Sequence, residues 1–160
     1  MPQTLEPLLR GHQFFAGLEP AYLSLIVDCA ANEVFPADSF VFREGEPAET
    51  FYLIREGKLA LEIAAPGRGV SSGALVIQTL GEGDVAGFSW LIEPHRWEFD
   101  GRTIERVRAV RIDGTCLRRK CEEDPRLGYE LMRRFAGLSA SRLQATRLQL
   151  LDVYGHAHRQ

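Results

Sequence analysis

The sequence lacks the features that would place it outside the soluble globular proteins. It has no apolar run near the ~20 residues that a membrane span requires, and residues 1–10 do not resemble a signal peptide. It has no excess of positive charge, because 19 Lys and Arg stand against 22 Asp and Glu, so bulk charge does not attract it to nucleic acid. Since hydrophobic residues make up 45% and charged residues 26%, we predict one soluble, cytoplasmic domain.

Cysteine and histidine are too few and too scattered to indicate a metal centre. Cys29, Cys116 and Cys121 include no CxxC pair, and the histidines have no ligand spacing. We predict that the cysteines are buried structural thiols of a reducing compartment, with redox sensing and metal ligation as alternatives. The sequence also lacks a GxSxG motif, a cysteine with a nearby histidine and a pair of catalytic carboxylates, so we expect no enzyme activity.

The apolar pattern predicts helices first and strands afterwards. Residues 1–32 have helical spacing that Gly11 and Gly17 interrupt, and Pro20 stands at the start of a new turn, which predicts two short helices. Residues 33–114 consist of short β-rich runs separated by turns, which is typical of a jelly-roll, cupin-like β-barrel. The predicted strands are Val34-Phe35, Ser39 to Phe42, Thr50 to Ile54, Lys58 to Ile63, Ala74 to Leu80 and Val107 to Ile112. The predicted turns are Pro36 to Asp38, Glu44 to Pro47, Glu56-Gly57, Pro66 to Gly69 and Gly81 to Asp84.

Residues 115–155 are predicted to be helical again, with a long helix from Asp124-Pro125 to Gly155 and a polar tail at 156–160. The first half of this helix carries an apolar stripe that we expect to pack on the barrel. The stripe consists of Leu127, Leu131, Phe135 and Leu138. The leucines of the second half predict a homodimer, because a small barrel has little surface left to cover them. The predicted interface residues are Leu143, Leu148, Leu150 and Leu151. The alternative is one amphipathic helix that lies on its own barrel.

The β-rich region contains motifs that resemble a known family. The segments Phe42 to Ala48 and Phe51 to Leu59, followed by Leu80 to Leu91, resemble the cyclic nucleotide-binding domain superfamily, and more narrowly the sensor half of bacterial catabolite-activator-type transcription factors. The resemblance extends over about Phe14 to Tyr154 and implies a mainly β fold: a barrel with N-terminal helices, a short cassette helix and a long C-terminal helix.

The glycines and apolar residues of these motifs suit such a barrel. Gly45 and Gly57 are expected to supply the positive backbone angles of tight turns. Asp38 stands where the family usually has a turn glycine, and aspartate tolerates the same left-handed conformation. The residues expected to alternate inward are Phe51, Leu53, Leu59 and Leu61.

The resemblance also implies a ligand site, the phosphate-binding cassette, which falls on residues 83–96. Gly87 matches the cassette glycine, Leu91 the leucine that anchors a one-turn helix, and Arg96 the arginine that reaches the phosphate. Backbone N–H groups at a helix start and a guanidinium both bind phosphate oxygens well. Arg102 is the alternative phosphate arginine.

This cassette departs from the family pattern at Phe88, which replaces the glutamate that accepts a hydrogen bond from the ribose. Trp90 and Trp97 border the cassette, where they fill the pocket, stack on a flat ligand or pack the cassette onto the barrel. Arg96 has an alternative role as an ion-pair partner of Glu93 or Glu98. The predicted ligand-binding residues are Gly87, Phe88, Ser89, Trp90, Arg96 and Trp97.

The resemblance implies a sensor module without catalytic activity or a cofactor, which binds a cyclic nucleotide or a related phosphate-bearing small molecule. Regulators of the family continue into a helix-turn-helix domain, whereas this sequence ends six residues after Tyr154. We therefore expect a stand-alone single domain, residues 1–160, that binds neither DNA nor membranes and signals to an unknown protein partner. Basic residues such as Arg118 and Arg134 alternate with acidic ones and are interpreted as a solvated helix surface. The alternative function is a ligand-free scaffold that has lost nucleotide binding.

Overall fold

The structure of the chain is a computed structural model that describes residues 5–64 and 74–157. The predicted turn at Pro66 to Gly69 lies outside the described residues. The chain begins with α1 (Glu6–Gly11), a 3-10 turn (Gln13–Phe15) and α2 (Pro20–Val27). Pro20 occupies the first helical position, where its missing N–H leaves no hydrogen bond unmade. The first strand starts at Ala30, so the helical stretch is shorter than the predicted 1–32.

The described residues contain eight strands, which form two four-stranded antiparallel sheets that face each other as a jelly roll. The strands are β1 (Ala30–Phe35), β2 (Phe40–Phe42), β3 (Thr50–Glu56), β4 (Leu59–Ile63), β5 (Leu75–Leu80), β6 (Val85–Ala86), β7 (Asp100–Thr103) and β8 (Val107–Asp113). One sheet has the order β1-β8-β3-β6 and the other β2-β7-β4-β5, so the barrel is not closed. The mainly β, jelly-roll prediction is confirmed, and the six predicted strands are present with shifted ends.

The strands β6 and β7 were not predicted. Strand β7 has the sequence Asp-Gly-Arg-Thr, which has no apolar alternation, and it forms because β2 and β4 pair with its two edges. A salt bridge supports this pairing, since Arg102 Nε lies 2.7 Å from Glu62 Oε1 and the Glu62 residue is only 5% exposed. Arg102 also lies 3.0 Å from Asp38, whose positive φ of 55° confirms the predicted left-handed turn residue.

The buried residues form two clusters on opposite sides of β3. The helix-side core lies between this strand and the helices, and Phe51 and Leu53 point into it. The barrel core lies between the two sheets, and it contains Tyr52, Leu59 and Leu61. The expected inward alternation is therefore wrong for Phe51 and Leu53, which are buried against the helices rather than in the barrel. Because a strand presents successive side chains to opposite faces, β3 contributes to both cores.

The chain ends in α3 (Gly114–Glu123) and α4 (Pro125–Ala157). The predicted stripe of α4 is confirmed, because Leu127, Leu131 and Phe135 are buried in the helix-side core. Gly155 does not end this helix as predicted. A single glycine weakens a helix without stopping it unless a cap follows. Among the described residues, no helix combines the length and the apolar character needed to cross a membrane.

The cysteines differ from the prediction of unbridged thiols, because Cys29 and Cys116 form a disulfide. The pairing of β1 with β8 brings these two residues, 87 apart in the sequence, to a Cα–Cα distance of 5.7 Å. Spacing along the chain gave no sign of this contact. Cys121 is a free, half-buried thiol.

Candidate functional site

The cassette begins with a glycine that its surroundings require. Gly87 follows β6 and has a φ of 114°, a backbone angle that residues with a side chain rarely adopt. A Cβ atom there would lie 2.8 Å from Cη2 of Trp97 and 3.3 Å from Cβ of Phe51. Any other residue would therefore strain the backbone and push the Trp97 ring out of place.

The expected cassette helix is replaced by two consecutive turns. The N–H of Leu91 donates to the carbonyl of Phe88 at 2.9 Å, and the N–H of Ile92 donates to the carbonyl of Ser89 at 3.3 Å. The segment does not continue into a helix, since His95 has a positive φ of 57° and Pro94 lies between it and the turns. The Ser89 residue is half-buried, and Leu91 packs against the helix-side core as its anchoring role requires.

Trp90 is part of the helix-side core. Its side chain is 0% exposed, and its ring stacks on Phe51 with a centroid distance of 5.0 Å. The ring also meets the edge of Phe135 of α4 at 5.6 Å. Of the three roles considered for the tryptophans, packing of the cassette onto the barrel and helices describes Trp90.

Trp97 lies on the other side, in the barrel core. Its ring stacks on Phe42 with a centroid distance of 3.7 Å and an interplanar angle of 7°, and the residue is 5% exposed. The Phe42 ring in turn covers Gly101 so closely that a Cβ there would lie 2.6 Å from it. This stack fills the space between the sheets next to Gly87, so of the roles considered for the tryptophans, filling the pocket describes Trp97.

Arg96 is exposed and does not pair with Glu93 or Glu98 in the described parts of the chain. Its Nη1 donates to the carbonyl of Gly45 at 2.7 Å, and residue 96 forms an isolated β-bridge with Pro47. Its guanidinium thus lies at the surface beside the Gly45 turn, held by one hydrogen bond. Arg102 is paired with two carboxylates, Glu62 on β4 and Asp38 in the turn before β2, and is not part of the cassette.

Phe88 connects the cassette to α4. Its ring meets the edge of Phe135 with a centroid distance of 5.5 Å, and the guanidinium of Arg142 lies 4.6 Å from the Phe88 centroid. Nη2 of Arg142 also donates to the carbonyl of Val85, two residues before the cassette glycine. Burial lowers the pKa of Arg142 to about 10, against a smaller raising effect of Asp84, and the side chain stays charged at neutral pH.

Arg118 and Arg142 complete a group that sequence inspection missed. Nη1 of Arg118 donates to the carbonyl of Trp90, so its interpretation as a solvated surface residue is wrong. The same holds for Arg134, which donates to the carbonyls of Phe14 and Ala16. We call Arg96, Arg118 and Arg142 the cassette arginines. Each binds a main-chain carbonyl, and none forms an ion pair with a carboxylate within residues 5–64 and 74–157. Arg96 was identified from the motif, whereas only the tertiary structure shows that Arg118 of α3 and Arg142 of α4 reach the cassette.

The predicted interface leucines lie where α4 has left the body of the domain. Leu143, Leu148, Leu150 and Leu151 are 52–66% exposed. Val153 is also exposed, and Arg142 is the last residue of the helix with a described side chain that is not exposed. The second half of α4 therefore presents an uncovered apolar surface, which the predicted homodimer would bury.

The chain matches known proteins over most of its length. A family model described as "Cyclic nucleotide-binding domain" matches residues 32–124, which include the whole cassette. The "CRP-like cAMP-activated global transcriptional regulator" of Mycobacterium tuberculosis is 29% identical over 150 residues, which cover 93% of this chain. The chain spans 63% of the length of that regulator.

Solved structures share the same architecture. One is a Geobacter metallireducens protein classed with the cyclic nucleotide-binding proteins, with a TM-score of 0.76 at 29% identity over 89% of this chain and 99% of that one. Another is the catabolite activator protein of Thermus thermophilus, with a TM-score of 0.67 at 20% identity over 88% of this chain and 62% of that one. The second likeness concerns the fold alone.

Proposed function

Because this chain belongs to the cyclic nucleotide-binding domain family, we propose that it is a regulatory sensor module that binds a cyclic nucleotide or a related phosphate-bearing small molecule. The family is regulatory rather than catalytic, and we propose no reaction. The site we propose is the cassette, with Gly87, Ser89 and the backbone between them facing the phosphate. The other proposed contacts are Phe88, Arg96, Trp97 and the backbone of Trp90, whose ring lies in the helix-side core.

The observation that carries this proposal is the charge of the cassette arginines. Three guanidiniums come from the cassette or contact it, and each donates to a main-chain carbonyl, with no carboxylate partner among the described residues. A phosphate is a stronger acceptor than a carbonyl, because a charge-assisted bond is roughly twice as strong as a neutral one. Arg96 is the most exposed of the three, so we propose that it leaves Gly45 to bind the ligand.

The same contacts provide a route from the ligand to α4. A ligand that rearranges the turn after Gly87 must move Phe88, and Phe88 carries the contacts to Phe135 and Arg142. Arg142 lies directly before the exposed half of α4, where we propose a homodimer through Leu143, Leu148, Leu150 and Leu151. Ligand binding would then shift the population between two arrangements of this helix.

A ligand-free interaction module is the second candidate, and Trp97 favours it. The Trp97 ring lies where a ligand between Gly87 and the barrel would lie, and it is stacked at 3.7 Å on Phe42. Any ligand that enters the barrel must displace this ring. If the ring stays in place, the chain has the fold of the family, but its own Trp97 side chain fills the pocket.

Calorimetry on the full chain separates the two candidates. We expect that cyclic AMP and cyclic GMP bind weakly, because Phe88 cannot accept the ribose hydrogen bond, and a lost buried partner costs ~1–3 kcal/mol, or one to two decades in affinity. A measurable affinity for cyclic AMP, cyclic GMP or inorganic pyrophosphate supports the sensor. No heat from any of these three at millimolar concentration contradicts it and favours the ligand-free module.

The proposed homodimer has its own test. Replacing Leu143 and Leu150 by Asp should give folded monomers, because both side chains are exposed in the single chain and their loss leaves the core intact. Light scattering measures the mass, and circular dichroism confirms the fold. A wild-type chain that is monomeric at high micromolar concentration would contradict the dimer.

A further inference from the structure

The disulfide between Cys29 and Cys116 joins two segments that other contacts already hold together. Cys29 lies between α2 and β1, and Cys116 lies in the first turn of α3. The N–H of Asp113 donates to the carbonyl of Cys29 at 2.9 Å, and Ala30 pairs with Ile112 in the sheet. Opening the bond would therefore leave the two sulfurs as neighbours. The pair can therefore be reduced and re-oxidised while the domain stays folded.

The surroundings of the bond give a reductant access. Cys29 and Cys116 line a surface cavity of about 380 Å³, and Cys116 is half-buried rather than enclosed. The charged residues that line the cavity are Asp28, Glu49, Asp113 and Arg111. Arg111 lies 3.7 Å from Glu33 and Asp28 lies 3.2 Å from Lys120, so both of these charges are partly compensated. Glu49 and Asp113 leave the cavity acidic on balance. An acidic cavity favours a neutral dithiol over an anionic thiol such as glutathione.

Cys121 is excluded as a participant by its position. It lies on the same helix as Cys116 but packs towards α4, where a Cβ on Gly128 would be 3.3 Å from its own Cβ. It is half-buried, and desolvation raises the pKa of its thiol, which keeps it protonated and unreactive. Cys121 therefore provides a matched control.

We propose that the Cys29–Cys116 bond is a reversible redox site, opened by a dithiol reductant, which sets how firmly α3 is held to the rest of the domain. A thiolate of the reductant attacks one sulfur, forms a mixed disulfide and releases the other cysteine, which takes up a proton. The second thiol of the reductant then attacks the mixed disulfide and leaves with the new disulfide. Two electrons pass to the protein, and Cys29 and Cys116 end as thiols. The redox step itself needs no ligand in the cassette, although α3 also carries Arg118, which donates to the carbonyl of Trp90.

Opening the bond should loosen α3 and not the sheets. After reduction, the end of α2 and α3 remain joined by the Asp113 hydrogen bond and by a salt bridge of 3.2 Å between Lys120 and Asp28. The salt bridge is solvent-exposed on the Asp28 side and contributes little on its own. Since α3 leads directly into α4, the looser attachment extends to the start of that helix.

Thiol counting on the full chain under native conditions tests the redox step. Each sample is treated in native buffer, precipitated with acid to remove the reductant, and then labelled with maleimide in denaturant at neutral pH. We expect one free cysteine, Cys121, in the oxidised protein, and three after treatment with dithiothreitol. Re-oxidation with diamide should return the count to one. The Cys121→Ser variant should have no free cysteine in the oxidised protein and two after treatment with dithiothreitol. A bond that stays closed in dithiothreitol until denaturant is added would overturn the proposal.

Hydrogen exchange tests the consequence for the helices. Amides of residues 114–123 should exchange on the order of tenfold faster in the reduced chain, while those of 50–56 should not change. Cys29→Ser and Cys116→Ser should reproduce the reduced pattern without any reductant, and Cys121→Ser should not. Equal exchange of 114–123 in the two redox states would overturn the role that we assign to the bond.

Discussion

The two tryptophans of this chain border the same short cassette and serve opposite interiors. Trp90 points into the helix-side core, where its partners Phe51 and Phe135 tie the sheet to α4. Trp97 points into the barrel core and stacks on Phe42. The two rings thus hold one segment from both sides. The difference is that the volume around Trp90 belongs to the scaffold, whereas the volume around Trp97 is the space that we propose for a ligand.

The largest effect should come from Trp90. Replacing it by Ala removes a fully buried ring with contacts on both the sheet and α4, which should lower the free energy of unfolding by about 3–5 kcal/mol. Denaturant unfolding measures the loss, and Trp90→Phe should retain much of the stability. A loss below about 1 kcal/mol for Trp90→Ala would show that this ring does not anchor the cassette.

Trp97→Ala should also destabilise the chain, by about 3 kcal/mol, at the lower end of the range for buried aromatic rings because the space can fill with water from the adjoining surface. In addition, it should open the barrel. If Trp97 occupies the ligand space, calorimetry of this variant should show tighter binding of cyclic AMP than wild type. Unchanged or weaker binding would mean that Trp97 is itself a ligand contact or that the barrel takes no ligand.

Arg142 provides a further test of how the cassette is held, since this half-buried side chain links the cassette to α4. Arg142→Ala removes the contact with Phe88 and the hydrogen bond to Val85, which together should cost about 1–2 kcal/mol. Hydrogen exchange should accelerate in residues 138–150. Arg147→Ala is the control, because that side chain is exposed on the same helix. Equal effects of the two variants would argue against a link through Arg142.

Much of this fold was predictable from the sequence, because local patterns determine it. Turn glycines specify their own backbone angles, and Gly45 and Gly57 have φ values of 86° and 96°. The stripe from Leu127 to Phe135 follows from helical periodicity alone. Strand β7 could not be found this way, because its stability comes from two neighbouring strands and from Glu62, which lies 40 residues before Arg102.

The position of the cassette in the chain could be predicted from the sequence, but the packing of its side chains could not. Gly87 and Phe88 were recognised from the motif, but the direction of each tryptophan depends on which core has room for it. The contacts of Arg118 and Arg142 with the cassette connect residues 28 and 57 positions apart. A helical arginine next to acidic residues resembles a surface residue until tertiary structure brings a carbonyl within its reach.

The smallest effect should come from pH at His12, next to the barrel. Nδ1 of this buried side chain accepts from the N–H of Phe14 at 3.2 Å, and Nε2 lies 3.3 Å from the carbonyl of Ile54. Burial lowers the pKa of His12 below its usual 6.5, although the hydrogen bond to Ile54 and the charge of Asp84 oppose this. The contribution of neutral His12 to the free energy of unfolding is therefore complete above pH 6.5. It is lost as the pH falls through the lower pKa that His12 has in the folded chain.

The His12→Gln variant measures this contribution. The variant should be about 1 kcal/mol less stable than wild type at pH 7.5, because a buried hydrogen bond is lost. The difference between the two proteins should shrink as the pH falls to 5, since only wild type must protonate a buried imidazole. A difference that stays constant from pH 7.5 to 5 would show that His12 does not titrate in this range.

The affinity of Arg96→Ala for inorganic pyrophosphate and cyclic AMP tests most directly whether the cassette is a phosphate site. Arg96 is exposed and makes one hydrogen bond, to Gly45, so its loss should leave the melting temperature nearly unchanged. Loss of a charge-assisted bond worth ~1.5–3 kcal/mol should weaken binding about ten- to a hundredfold. Arg106→Ala, at an exposed position directly before β8 and outside the cassette, should bind as wild type does. A destabilised Arg96→Ala chain with unchanged affinity would contradict the account and make Arg96 a structural residue.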